Sequence, residues 1–354
     1  MSDVGLSRRD ILKASAALSL SAFAAPARAA APPPEPITPS LIAEAKKEGQ
    51  VVWYTSTDLR LSGVVGKAFE QKFPGVSVRV ERLGAERIFT RIGQEYSAGI
   101  HAVDAVNTGD GAQFLTWKAQ GMLAPYVPDD AAQHIPAAQR DADGCYATVR
   151  CSLCVIGYNT ELVKRDEAPK SFADLLDPKW KGKIVKAHPA YSGTVMTSTY
   201  QTVRALGWPY LEKLAQQHVL QVQSATDTPN KLVLGERPVM ADGNEYNVFM
   251  LQDAGKPVEP VYAVEGSPFI AQPSAILKAA PHPNAARLFQ SYLFTPEAQQ
   301  LFVDTGGLRS LHALVKDKPG RIPLSEIKVW SDDPAAVEKQ SEEIKRRYTQ
   351  LFHV

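Results

Sequence analysis

Residues 146–159 read YATVRCSLCVIGYN, an extended run too long for one ordinary strand, whose usual length is about five or six residues. Arg150, Ser152 and Cys154 alternate, so they share one face of that run. A second long stretch, VEPVYAVEGSPFIAQPSAILKAA from Val258, is again extended and is broken only by EGSP. Two extended segments of this kind, around Thr148–Tyr158 and Val258–Ala271, can each serve two sheets. The expectation is an α/β protein of two lobes joined by two crossover strands, which is hinge architecture.

The flanking sequence supplies the sheets. VVWYTST (51–57) is rich in β-branched and aromatic residues and reads as a strand ending in hydroxyls. LSGVVGKAFEQKF carries Val64, Val65, Ala68, Phe69 and Phe73 at helical spacing. Strand-like PGVSVRVER, helical AERIFTRIGQEYSAG, strand AVDAVNTG and helix AQFLTWKAQG follow. The middle of the chain repeats the alternation: strand KGKIV, a helix opening at Ser192-Gly193-Thr194, helix PYLEKLAQQ, strand VLQVQS, a helix near Asp227, strand RPVMAD and helix NEYNVFMLQDAG. Strands alternating with helices imply mostly parallel sheets covered on both faces. Trp53, Trp117 and Trp180 fall in core-like patterns. No short-period repeat is present.

The N-terminus carries an address. SRRDILK is followed by the apolar run ASAALSLSAFAAP and by ARA. A charged front, a short apolar core and a small-residue cleavage site form an export leader, and Arg8-Arg9 give it twin-arginine character. The run is shorter than the roughly 20 residues of a membrane span. Cleavage is expected after Ala29, leaving an N-terminal tether and the start of a first helix over 30–47, and a periplasmic protein. Loss of residues 1–29 removes four basic and two acidic side chains and takes the formal charge from +1 to −1. So neutral a chain has no basic footprint for nucleic acid.

The three cysteines are Cys145, Cys151 and Cys154. The C-x-x-C spacing of CSLC suits redox and zinc sites, but it lies in a strand-like run, and no second pair completes a zinc site. A structural role is expected, with a Cys145–Cys151 disulfide as a weaker alternative in an oxidising compartment. There is no G-x-S-x-G, H-E-x-x-H or G-x-x-x-x-G-K-[ST]. His101, His134, His188 and His218 are scattered without metal-ligand spacing.

Candidate binding residues sit at the ends of the expected strands, where open α/β sheets take ligands. They are Ser56, Thr57 and Asp58 after the first strand, Thr108, Gly109 and Asp110 after the third, and Asp242, Asn244 and Tyr246 after a later one. Each polar loop also reads as a solvated turn. Arg150 reaches either a ligand carboxylate or a structural aspartate, and Arg309 in GGLRS is equally open. Glu86 and Arg87 open the second helix, where Glu86 complements the helix dipole. Ser192, Gly193 and Thr194 open another helix. They are an ordinary N-cap or, because glycine permits close approach to unpaired N–H groups, an anion cradle.

Taken in order, VVWYTST, GKAFEQKFPGVSV, GMLAPY, GYNTELV, DPKWKGKI, SGT, GSPFIAQPSAILKAAPHPNAARLF and LFTPEAQQLF resemble the periplasmic solute-binding proteins of ABC importers, in the ferric-iron-binding-like group. The resemblance spans about Val51 to Val315. It implies a type II periplasmic-binding fold with a ligand cleft between two lobes, one built from 48–150 plus 266–315 and the other from 151–265 plus 316–354. It also implies a small-molecule ligand, an inner-membrane permease as partner, a monomer, no cofactor and no catalysis. Iron-binding members hold the metal with two adjacent tyrosines, a histidine and a glutamate. At the tyrosine pair this chain reads GNEYN, with Tyr246 alone; at the histidine it has about Asp58; near the glutamate it has Gly109 or Asp110. Asp58, Asp110, Glu245 and Tyr246 are therefore only an alternative metal set, since ferric iron wants several anionic oxygens. The triplet matched by SGT receives a phosphate or carboxylate in this family, which favours the cradle. A ferric carrier with altered ligands, a sensor feeding a membrane kinase and an exported cofactor enzyme are the competing classes.

Overall fold

The computed structural model describes residues 30–354; the expected leader, residues 1–29, lies outside the described residues. No helix among those described is long and apolar enough to cross a membrane. Among the described residues twelve strands are formed: β1 (Gln50–Thr55), β2 (Ser77–Arg82), β3 (Ala105–Asn107), β4 (Leu123–Ala124), β5 (Ala147–Leu153), β6 (Ile156–Asn159), β7 (Ile184–Ala187), β8 (Leu220–Val222), β9 (Val239–Met240), β10 (Val258–Val261), β11 (Ser267–Leu277) and β12 (Val329–Trp330). They make two sheets. The first has the order β12-β11-β3-β1-β2, with β4 and β5 also paired to β11. The second runs β10-β6-β9-β7-β8. The fold is a two-lobed α/β periplasmic-binding architecture of type II.

Both long extended segments divide where the chain changes sheet. β5 pairs antiparallel with β11 in the first sheet, and after Cys154-Val155 the chain enters the second as β6. It returns from β10 to β11 across Tyr262–Gly266. Gly266 has φ +124°, and a Cβ there would lie 2.5 Å from the Trp330 indole nitrogen, so the return bend needs glycine. The sheets are mixed rather than mostly parallel. β1 is parallel to β2 and β3, β7 to β8 and β9, and β11 to β12, while β5, β6 and β10 run antiparallel to their neighbours, as β11 does to β3, β4 and β5. The reason is connectivity: parallel partners come from strand–helix–strand units, whereas the crossover strands turn back on the sheet they meet.

Apolar faces account for the helices. Leu61, Val65 and Phe69 of helix Leu59–Lys72 are fully buried. Phe69 packs edge-on to Phe289 and Tyr292 at 5.1 and 5.4 Å, and Trp53 reaches Phe289 at 5.2 Å. A second core gathers Phe172, Trp180, Tyr210 and Leu211. The C-terminal helix Pro334–Phe352 buries Val337 and Ile344 with Ala112, Met196 and Tyr200, so it touches helices from both halves. Lys345 donates to Glu86 at 3.1 Å and Thr116 to Glu338 at 2.8 Å along that seam.

The Cys145–Cys151 disulfide is corrected: Cys145, Cys151 and Cys154 are free and buried. Cys151 sits inside β5 with its thiol toward the Arg309 carbonyl, while Cys145 precedes the strand in a different cluster.

Candidate functional site

A small polar cavity of about 20 Å³, room for little more than one water molecule, lies where strand ends of the two sheets converge. Ser56, Arg82, Gly84 and Ala85 line it from the first half; Tyr191, Ser192, Gly193, Thr194, Ser224, Ala225, Thr226 and Asn244 line it from the second. The surface is chiefly hydroxyls, backbone and one guanidinium. Arg82 ends β2, and its side chain spans the gap: Nε donates to the Thr57 carbonyl and Nη2 to Thr226 Oγ1, both at 3.4 Å. These are long bonds, so the guanidinium retains donor capacity.

Helix Gly193–Leu206 points its first turn at this cavity. Ser192 is the N-cap, its Oγ accepting from Val195 N–H at 3.4 Å. A cap that long only partly satisfies the first turn, and the N-terminal partial charge remains. Cap and cavity lining are thus both present in one residue. Gly193 also serves the packing of the two halves. Its hydrogen face is occupied by the opposite half, since a Cβ would lie 3.0 Å from Ala85 Cβ and closer still to Asp110 Cβ. A Cβ on Gly109 would likewise lie 2.5 Å from Thr194 Oγ1. The two glycines let the halves meet, backbone against side chain.

Arg150, which does not line the cavity but contacts Thr57 beside the lining residue Ser56, is 1 % exposed. It donates to Thr57 Oγ1 and lies 5.4 Å from the Phe302 ring, but Nε and Nη1 have no partner among the described residues. Burial pushes its guanidinium down to about 10; it still carries its charge at neutral pH. Thr57 is shared with Thr55 and Asn107, and Tyr246 Oη accepts from Asp58 N–H at 3.3 Å. A buried cation without a carboxylate is costly, and two orphan donors beside a polar seam mark a place for an acceptor. Asn244, also at the cavity, keeps a buried Oδ1 without a partner among the described residues.

Other expected site residues do structural work. Asp58 caps helix Leu59–Lys72, accepting from Arg60 N–H at 2.9 Å. Asp110 caps helix Gly111–Ala119, and burial, with Glu86 nearby, pushes its carboxyl up to about 8. Thr108 donates to Gln113. Asp242 forms a buried ion pair with Lys186 at 2.5 Å and accepts from Ala187 N–H. Glu245 is held by both arms of the Arg309 fork at 2.7 and 2.9 Å and by Tyr262 at 2.5 Å. The alternative metal set is therefore not assembled: Asp58, Asp110 and Glu245 are engaged in two caps and an ion pair. Sequence reasoning missed Arg82, Tyr191, Ser224 and Thr226. Arg82 simply ends an alternating strand, and Ser224–Thr226 sit in a short turn before Asp227.

The geometry agrees with comparisons to known proteins. Residues 65–336 match the family described as bacterial extracellular solute-binding protein. An uncharacterised protein of Haemophilus influenzae is 25 % identical over 267 residues, 73 % of this chain and 76 % of that protein. The "Probable ABC transporter periplasmic-binding protein y4fP" of Sinorhizobium fredii is 23 % identical over 219 residues, covering 58 % of this chain and 56 % of its own length. Among solved structures, the periplasmic binding protein AfuA of Actinobacillus pleuropneumoniae, with exogenous fructose-6-phosphate bound, superposes with a TM-score of 0.79 at 23 % identity. That match covers 87 % of this chain and 99 % of AfuA. Iron-bound HitA of Pseudomonas aeruginosa gives 0.73 at 19 % identity, covering 84 % and 99 %. With more than half its length matched by the family model, the chain belongs to the bacterial extracellular solute-binding proteins.

Proposed function

We propose that this protein is the periplasmic binding component of an ABC importer and captures a small solute bearing a phosphate or carboxylate between its two halves. The observation that carries the reading is the cavity itself. It brings together a helix N-terminus, the Arg82 guanidinium and the hydroxyls of Ser56, Ser192, Thr194, Ser224 and Thr226. Donors of this kind, converging in a partly dry space, recognise an anion by charge-assisted hydrogen bonds. The sugar phosphate in AfuA, a protein of the same fold, supports an organophosphate as the solute class. Delivery follows by hinge opening at the Cys154-Val155 and Tyr262–Gly266 crossings, toward a membrane permease.

Iron as cargo is the weaker reading, although HitA, of similar fold, is iron-bound. Here Glu245 is neutralised by Arg309 and Tyr246 stands without an adjacent tyrosine. The test is a thermal-shift screen of the mature chain against sugar phosphates, inorganic phosphate, carboxylates and ferric citrate. Binding to the folded state raises the melting temperature by mass action. An organophosphate shift that disappears in Ser192→Ala and Arg82→Ala supports the proposal. A shift with ferric citrate alone would overturn it.

A further inference from the structure

The cavity leaves unused a cluster on the first half. Asp130 and His134 stand four apart on helix Asp129–His134, so they share a face. His312, from the loop after Arg309, comes to meet them. Ligand atoms of the three lie within 4.8 Å of one another. The two imidazoles are 4.8 Å apart between centroids, tilted by 44°. The loop is fixed against the helix: Ala313 N–H donates to the His134 carbonyl at 3.1 Å, and His312 N–H to Ser310 Oγ at 3.0 Å.

His312 is 2 % exposed, and its Nε2 has no partner among the described residues. Leu314 N–H donates to its Nδ1 at 3.2 Å, which puts the neutral ring's proton on Nε2, buried and unpaired. An unpaired buried polar group is uncommon and costly. A metal ion at Nε2 removes that orphan. The ring proton then moves to Nδ1, and the Leu314 N–H, in the turn whose exposed tip is Leu314, must swing aside.

We infer that Asp130, His134 and His312 form a binding site for a divalent transition-metal ion, separate from the solute cavity. Two imidazole nitrogens and one carboxylate are borderline donors that suit Zn²⁺, Ni²⁺ or Cu²⁺ rather than Mg²⁺ or Ca²⁺. Metal–ligand distances of about 2.0–2.2 Å require the three groups to draw together by about 1 Å. Asp130 and His134 are only partly buried. Water fills the remaining coordination positions. The ion would clip the 308–316 loop to helix Asp129–His134.

The test is calorimetric titration of the chelator-stripped mature protein with ZnCl₂ and with NiCl₂. One saturable equivalent is expected, with a raised melting temperature. His134→Gln and Asp130→Asn, both at partly exposed positions that keep the fold, should each weaken binding by about tenfold or more. Circular dichroism melts of both variants without metal check that folding is intact. Absence of binding by the wild-type chain, or unchanged affinity in His134→Gln, overturns the site.

Discussion

Replacing Gly193 by alanine tests how the halves meet. The added Cβ would stand 3.0 Å from Ala85 Cβ and still nearer Asp110 Cβ, against ordinary contacts of about 3.5–4.0 Å between carbons. Both neighbours present a rigid Cβ rather than a flexible side-chain tip, so the halves must part by roughly 1 Å. Overpacking of this kind costs about 1–3 kcal/mol. Placed on the closed state alone, that weakens closure about five- to a hundredfold, since 1.4 kcal/mol is a factor of about ten. The clash is between halves and absent when they open, so global stability should fall less than affinity does. Small-angle scattering of wild type and Gly193→Ala, with and without an organophosphate found in the screen, reads the equilibrium. The variant should keep a larger radius of gyration at ligand concentrations that compact the wild type. Equal compaction and an affinity within about twofold of wild type would refute the reasoning, because the close approach would then not limit closure.

Arg150→Met removes a buried cation that lacks a carboxylate partner. Denaturant melts should show stability unchanged or raised, while calorimetry should show anion affinity lowered about tenfold or more; a loss of stability with intact affinity would make Arg150 purely structural. Glu245→Gln leaves buried Arg309 with only the part-exposed Asp317 carboxylate, at 3.9 Å, as counter-charge and should cost up to about 3–5 kcal/mol in urea unfolding. Asp110 titrates near 8 in the folded chain, raised by burial and by Glu86. Its folded-state value lies above the unfolded one, so the stability linked to its protonation is complete below about pH 4 and is lost as the pH rises through about 8. Asp110→Asn keeps an oxygen for the Ala112 cap and should gain on the wild type across that window; identical pH profiles of melting temperature would show that Asp110 is ionised throughout.

The crossings were legible because extended segments betray themselves by length and alternation: Thr148–Tyr158 and Val258–Ala271 were each too long for one sheet. Helix starts were legible too, yet Asp58 and Asp110 show the ambiguity of that signal. An aspartate before a helix looks the same whether it caps or binds, and only the paths of Arg60, Leu61 and Ala112 N–H decide. Glu245–Arg309 and Lys186–Asp242 were hidden because their partners are far apart in sequence and share no motif. The contacts of Gly193 and Gly109 were hidden for a related reason. A glycine's vacancy is visible in sequence, whereas the atom that fills it belongs to another part of the chain. His134 looked isolated because its partner His312 arrives on a distant loop.

The central claim is that an anionic group of a small solute sits at the first turn of helix Gly193–Leu206. A crystal structure of the mature protein with an organophosphate identified by the screen tests it most directly. The account predicts phosphate oxygens within about 3.2 Å of the N–H groups at Gly193 and Thr194 and of the Ser192 hydroxyl, with Arg82 at the far side. A ligand whose phosphate lies outside this cavity, with Ser192 engaged only to Val195 N–H, would contradict it.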